Sequence, residues 1–478
     1  MNRFTPRRLM AVVAIGALTV GAAGCSAGSD SSADTAKVTI TVSGPNQWNS
    51  DPSSFGKPWE DMVARFEKAE PGIKVETNVL PLTSFRDTLS TQLAAGSAPE
   101  LIFNQVPHDP KQIVSMNKYL EKPNPFAPDA DTWLDVFNPN MFGENQRNAL
   151  GDFEYIPLNA VGTGLFYNKD AFDKAGIDRV PTSITGLLKD CKALKKAGYT
   201  PLAMDSGSLG VGWTSETIYN MLLNKYAKDW DRYTKAGDPG DNGGIVTQKS
   251  IAAAISTGEL DATKTPEVRE AVKLTKQIFD GCATPNWSGI AGTATFVGAD
   301  EFLSGDAAIA WGTSFAAAGL SKVDWAWAAF PFPTVTSQDT PLSTDAPAQS
   351  GIGVGGTSYM IPATTKGKKL AAAVKFLQFA SSPKGGEKWL KETGSIPATV
   401  GAEPSEGIKP LLEGAWAEPK QISLPYRSKA SAGKNLLEGY LLGTKTLDEQ
   451  LASLENEWST WSDETAQSAG WTDDWVKK

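Results

Sequence analysis

Histidine is nearly missing from this chain: its 478 residues hold one, His108, between Pro107 and Asp109. Imidazole is the commonest metal ligand and the ordinary base at neutral pH, so its scarcity argues against a zinc centre and against Ser-His-Asp hydrolysis. Cysteine is almost as rare, three in all, with no pair at metal-ligand spacing. No phosphate loop occurs either. Positive charge is short as well: 45 lysines and arginines face 54 aspartates and glutamates, a formal charge of −9. A nucleic-acid binder would show a basic stripe instead, so none is expected as a partner. Beyond the first two dozen residues no run is apolar enough to cross a bilayer. These absences leave no expected metal or cofactor and point away from most catalysis.

What is present begins with export. Arg3, Arg7 and Arg8 precede about fifteen apolar residues from Leu9 to Ala23, interrupted by Gly16 and Gly21. Such a run is too short to span a hydrocarbon core of about 30 Å as a permanent helix, so residues 1–24 read as a signal peptide. Its end, Ala22-Ala23-Gly24-Cys25, resembles a bacterial lipobox, which implies cleavage before Cys25 and lipid on its thiol; Ala22 stands where a bulkier aliphatic residue is usual. Residues 25–36 are small and polar, a flexible tether. The working body is therefore expected outside the cell, anchored by lipid to the outer face of the cytoplasmic membrane. Losing the three arginines takes its formal charge to −12. Cys191 and Cys282 remain, either a disulfide of an exported protein or two buried free thiols.

The body opens on 37–42, alternating and β-branched, hence a strand. Trp59, Met62, Val63 and Phe66 then recur at helical spacing, 73–77 reads as a second strand, 85–95 as a helix stopped by Gly96, and 101–103 as a third strand. Strand, helix, strand, helix, strand implies a mostly parallel sheet covered on both faces. Further on, 182–196 reads as a helix capped by Thr182 or Ser183, 199–204 as a strand, 207–213 as a flexible loop delivering one large ring, 266–279 as an amphipathic helix and 307–311 as a strand after a Gly305 stop. Residues 411–416 and 434–442 read as helical, and Thr446-Leu-Asp-Glu449 as a capping box opening a last helix. Trp458, Trp461, Trp471 and Trp475 read as packing aromatics of that helix and the tail. Residues 351–356 match the dinucleotide glycine pattern formally, but no strand precedes and no helix follows, so no nucleotide site is inferred.

The most informative stretch is Pro157-Leu-Asn159-Ala-Val161-Gly162-Thr-Gly164-Leu165-Phe166-Tyr167-Asn168-Lys-Asp170-Ala-Phe172-Asp-Lys174. Gly162 and Gly164 permit close backbone approach, Leu165-Phe166-Tyr167 is a buried-strand run, and Asn168 can cap a helix beginning near Asp170. Position by position the stretch resembles the signature of the family 1 solute-binding proteins of ABC importers, the maltodextrin-binding type. The resemblance implies a two-lobed α/β fold, periplasmic-binding-protein-like (type II), with three inter-lobe crossings at 153–157, 349–356 and 394–397. It divides the body into a first lobe, 37–153 and 356–394, and a second, 158–350 and 400–478. It implies capture of a carbohydrate ligand by a monomer, without catalysis, and delivery to permease subunits of an ABC transporter.

Sugars present apolar C–H faces edged by hydroxyls, so a site for them wants flat rings beside amides and hydroxyls. Strand-end loops offer both: Asn46, Gln47, Trp48, Asn49, Asn104 and Gln105 from the first lobe, with Asn159, Trp213, Trp311, Thr313, Ser314 and Phe315 from the second. Tyr426 and Arg427 fall near where the resembled family places a further ligand-facing residue. The family's acidic contact position aligns with Val161, an apolar residue, so a maltodextrin-like contact set is not implied. Two other readings stay open: an extracellular lipoprotein glycosidase with paired carboxylates, and an adhesion module that ignores sugars.

Overall fold

The computed structural model describes residues 37–477 apart from 47–52, 82–83, 140, 144–145, 149, 293–295, 355, 402–403, 405 and 425–426. Cys25, Gln47, Trp48, Asn49 and Tyr426 lie outside the described residues. Strands are numbered in chain order among those described, and they form three sheets.

The first sheet contains β1 (Val38–Pro45), β2 (Ile73–Leu80), β3 (Leu101–Phe103), β4 (Ile156–Pro157) and β11 (Ser358–Met360), in the order β2-β1-β3-β11-β4. β1 runs parallel to β2 and β3, while β11 is antiparallel to both of its neighbours, so four of the five strands share one direction. The β-branched alternation of β1 sends Ile40 and Val42 into the core. Against this sheet the helix Lys57–Ala69 buries Trp59, Met62 and Phe66, the residues its spacing singled out. Trp59 meets Tyr359, Phe376 and Trp389 at 5.9 to 6.2 Å between ring centroids, which binds the amino-terminal segment to helices Gly367–Ala380 and Pro383–Thr393 from late in the chain.

The second sheet has the order β7-β8-β6-β9, made of β6 (Thr163–Asn168), β7 (Thr200–Ala203), β8 (Ala307–Thr313) and β9 (Trp327–Phe330). β6, from the signature stretch, is antiparallel to β8 and β9, and Asn168 caps the following helix by accepting from the Ala171 N–H at 3.1 Å. The helix Ile184–Ala197 is capped by Ser183 and stopped by left-handed Gly198. Its Cys191 is bonded to Cys282, the last residue of the helix Pro266–Cys282, with 5.3 Å between their Cα atoms. The pairing resolves the alternative left open by the sequence.

Two expectations are corrected here. The glycine-rich 207–213 is not a loop but the opening of the helix Ser208–Leu223. Gly210 is there for packing: a Cβ on it would lie 2.8 Å from both Met204 Sδ and Val297 Cγ1. The 411–416 segment is not an α-helix but falls between short 3₁₀ turns, Glu406–Leu411 and Gly414–Ala417, because Pro410 removes a backbone donor and Gly414 takes a φ of 61°. In the 434–442 segment only Glu438–Leu441 is α-helical. The capping box Thr446–Glu449 opens the helix Leu447–Ala469, whose Trp458 and Trp461 are buried.

The third sheet is small and consists of β10 (Gly353–Val354), β5 (Asn159–Val161) and β12 (Ile396–Pro397), all antiparallel, with β5 in the middle. The buried apolar residues divide into two clusters, one around the first sheet and one around the second. The chain passes from the first cluster at Leu158 to the second at Ala160, so this change falls a few residues after 153–157; Ile156 and Pro157 are still paired with β11. Two lobes joined by a narrow sheet are the architecture that results.

Candidate ligand-binding site

Six of the residues singled out by the sequence gather around 356–358, where the chain re-enters the first sheet. Asn104, just past the end of β3, donates its backbone N–H to the Ser358 carbonyl at 3.1 Å. A Cβ placed on Gly356 would lie 3.0 Å from the tip of the Phe315 ring, 3.0 Å from Val161 Cβ and 3.2 Å from Asn159 Oδ1. Asn104 of the first lobe and Phe315 of the second thus meet the same short segment, 356–358. Thr313 and Ser314 carry β8 into the same place; Thr313 pairs with Thr163, and the Ser314 N–H donates to the Gly162 carbonyl at 2.8 Å.

Three polar atoms here are buried without a hydrogen-bond partner among the described residues: Asn104 Oδ1, Thr313 Oγ1 and Ser314 Oγ. Folding normally pairs such groups, since leaving one unpaired costs about 1–3 kcal/mol. They lie at strand ends from both lobes, past β3 and at the end of β8.

Asn159 is spoken for. It is fully buried, its Oδ1 accepts the Thr357 N–H at 2.6 Å, and its Nδ2 donates to Ser395 Oγ at 3.1 Å and to Thr357 Oγ1 at 3.3 Å. One side chain on β5 therefore ties together the segments that flank β10 and β12, which makes it a pin of the crossing sheet. Gln105 also departs from expectation: it is exposed, and its Oε1 accepts from Arg86 Nη2 at 3.2 Å on the helix Phe85–Ala94.

The aromatic wall has two layers. Trp213 is half-buried on the helix Ser208–Leu223, with its ring 5.8 Å from that of Trp311. Trp311 is 1% exposed, stacks on Phe332 at 5.4 Å and donates its indole N–H to Thr214 Oγ1 at 2.9 Å. A ring with both face and N–H committed backs the wall and does not meet a ligand, so Trp213 is the layer that can. Asn46 is half-buried one residue past β1. Arg427 stands over Gly212, its Nη2 3.6 Å from where a Cβ would be, and its Nε donates to the Lys434 carbonyl at 3.1 Å. Burial works against its charge and lowers its pKa, with Glu216 and Glu457 acting in the opposite sense.

Sequence reasoning missed the brace behind this wall. Trp416 donates its indole N–H to the Thr163 carbonyl at 2.8 Å, its own carbonyl accepts from Ser350 and Gly351, and Thr163 Oγ1 meets Ser350 Oγ at 2.7 Å. No local pattern could have found it, because Thr163 and Trp416 are 253 positions apart. Two cavities open elsewhere, of about 570 Å³ beside Asp129, Asp131 and Lys384 and of about 690 Å³ beside Leu390, Lys391 and Thr399. Neither is lined by a candidate ligand residue, and neither offers a tryptophan face.

Known proteins place the architecture. A relative, the sn-glycerol-3-phosphate-binding periplasmic protein UgpB of Escherichia coli strain K12, is 24% identical over 361 residues, 74% of each chain. Among solved structures, a chitin oligosaccharide binding protein superposes with a TM-score of 0.63 at 20% identity, covering 89% of this chain and 99% of that one. The solute-binding protein RafE in complex with raffinose gives 0.62 at 18%, covering 89% and 100%. Maltose-bound MalE3 of T. maritima gives 0.61 at 16%, covering 88% and 98%. These likenesses establish the two-lobed α/β fold. The profile of bacterial extracellular solute-binding proteins matches residues 49–387, and the chain belongs to that family.

Proposed function

We propose that this chain is the capture component of an ABC importer, a lipoprotein moored through Cys25 that binds a sugar or oligosaccharide between its lobes and presents the closed form to a membrane permease. The observation that carries the reading is the set of buried polar atoms unpaired among the described residues, Asn104 Oδ1 from one lobe with Thr313 Oγ1 and Ser314 Oγ from the other, together with the half-buried Trp213 ring packed on Trp311 of the same strand β8. Sugar hydroxyls satisfy such atoms, and sugar C–H faces suit such a ring. The names of the solved relatives, binding chitin oligosaccharide, raffinose and maltose, run the same way.

Closure supplies the mechanism. A ligand held by both lobes has its full set of contacts only when they are shut about the crossing sheet, so it selects that state by differential affinity. Nothing is turned over; a ligand that leaves unchanged is what transport requires. The protein is expected to act as a monomer on the outer face of the membrane, with the tether 25–36 letting the body reach the permease.

A thermal-shift screen of mono- and oligosaccharides, followed by calorimetry and chromatography of the recovered hits, tests this. Binding with intact recovered ligand supports it, and released reducing ends would replace it with a glycosidase. Trp213→Ala should weaken binding at least tenfold while leaving the unfolding midpoint nearly unchanged, the effect expected on losing one stacking face. Unchanged calorimetric affinity would remove Trp213 from the site.

A further inference from the structure

Charge at the site is lopsided. Among the described candidate ligand residues Asn46, Asn104, Trp213, Thr313, Ser314 and Phe315 are neutral, and Arg427 alone carries a formal charge. Its hydrogen bond from Nε to the Lys434 carbonyl commits one of five N–H donors. Among the described residues no carboxylate lies within ion-pair distance of it. The two nearest in electrostatic influence, Glu216 and Glu457, are engaged elsewhere. Glu216 Oε1 accepts from Ser423 Oγ at 2.6 Å and pairs with Lys420 Nζ at 3.1 Å. Glu457 accepts from the Ser428 N–H at 2.6 Å through one oxygen and from Ser431 Oγ at 2.9 Å through the other.

A half-sheltered guanidinium in this situation is expensive to keep. Desolvation penalises it, and surface ion pairs that could relieve it are absent around it. Its position gives it a use. Its Nη2 lies over Gly212 on the helix Ser208–Leu223, next in sequence to Trp213, the half-buried face of the aromatic wall. The planar fork left open matches the paired oxygens of a carboxylate or phosphate far better than it matches single hydroxyls.

We propose that the ligand of this site carries an anionic substituent, a carboxylate or a phosphate monoester, held by Arg427 while the rest of the molecule lies on Trp213. The proposal rests on the sugar-capture reading above and narrows it to acidic or phosphorylated sugars. Because the whole chain is acidic, recognition of an anion here is a local effect of Arg427 and not of the overall field.

The test is calorimetry on the full chain with matched pairs: galactose against galacturonate, glucose against glucose 6-phosphate, with glycerol 3-phosphate and inorganic phosphate as sugar-free probes. At least one charged partner should bind thirtyfold or more tighter than its neutral parent. Arg427→Gln should bring that ratio to within threefold of one, and Arg427→Lys, which keeps the charge and loses the fork, should retain part of it. If Arg427→Gln does not fold, Arg427→Lys decides: a ratio at least threefold below that of the parent supports the proposal, and a ratio equal to the parent's overturns it. Neutral sugars that bind as tightly as their charged partners, or a ratio unmoved by substitution, overturn the proposal and leave sugar capture standing. Arg427-dependent binding of phosphate or glycerol 3-phosphate with no sugar bound supports the anion site and overturns sugar capture. No binding of any probe overturns both.

Discussion

Replacing Asn159 by alanine separates a hinge role from a ligand role. The substitution deletes the three hydrogen bonds that Asn159 makes to Thr357 and Ser395, all inside the crossing sheet. The Thr357 N–H, on a fully buried residue, would lose its acceptor, a penalty of about 1–3 kcal/mol. The two lost bonds to hydroxyls add about 1 kcal/mol each at most, softened at Ser395 because its Oγ also meets Thr393 Oγ1 at 2.7 Å. A total near 3 kcal/mol is a large part of the 5–15 kcal/mol that holds an ordinary domain together. Urea unfolding followed by tryptophan fluorescence and by far-ultraviolet dichroism should show this loss, together with a broader spread of lobe angles in small-angle scattering of the ligand-free protein. A loss under 1 kcal/mol accompanied by a tenfold fall in affinity would refute the reasoning, because Asn159 would then be touching ligand and not pinning the hinge.

The remaining predictions concern stability away from the site. Cys191→Ser with Cys282→Ser opens a crosslink spanning 91 positions, for which chain entropy gives a loss of about 4–5 kcal/mol; a denaturant midpoint unmoved from the oxidised parent would contradict this. His108 Nε2 lies 3.5 Å from Glu154 Oε2, and both side chains are largely buried. Burial works against the charged imidazolium, yet Glu154 and the Val106 carbonyl outweigh it and raise the His108 pKa above 6.5; burial likewise opposes the Glu154 carboxylate, and His108 with Asn148 outweighs it and lowers that pKa below 4.5. The His108 contribution is therefore complete below its unfolded value and lost as pH rises through the folded one, while the Glu154 contribution is complete above its unfolded value and lost as pH falls. The stability difference between the parent and His108→Gln should peak between about pH 4.5 and 6.5 at about 1 kcal/mol, and a difference flat across that range would exclude the pair.

Legibility followed the distance over which each feature is specified. Local rules found the elements that local chemistry builds: the alternating β1, the Trp59-Met62-Phe66 face, the Ser183 and Asn168 caps and the Thr446–Glu449 box are each written within a few residues. They failed where glycine serves a neighbour instead of a turn. Gly210 and Gly212 read as loop, yet both lie in the helix Ser208–Leu223, where Gly210 admits Met204 and Val297. Tertiary context also decided the fate of Asn159 and Trp311. Both have the right chemistry for a sugar, and both were consumed by partners more than ninety positions away, Ser395 for one and Thr214 for the other.

That division has a consequence for reading the site. Amides, hydroxyls and indoles serve equally well as ligand contacts and as internal struts, so residue type alone cannot assign them, and what separates the two is whether each polar atom already has a partner. By that criterion Asn159 and Trp311 are struts, whereas Asn104, Thr313 and Ser314 each keep a buried oxygen unengaged and Arg427 keeps most of its donors. The atoms left over alternate between the lobes, one group past β3 and another past β8, with the crossing sheet between them. On the sugar-capture proposal, a guest that brings several oxygens at once satisfies those atoms together only when the lobes close on it, so binding and closure are expected to be one event.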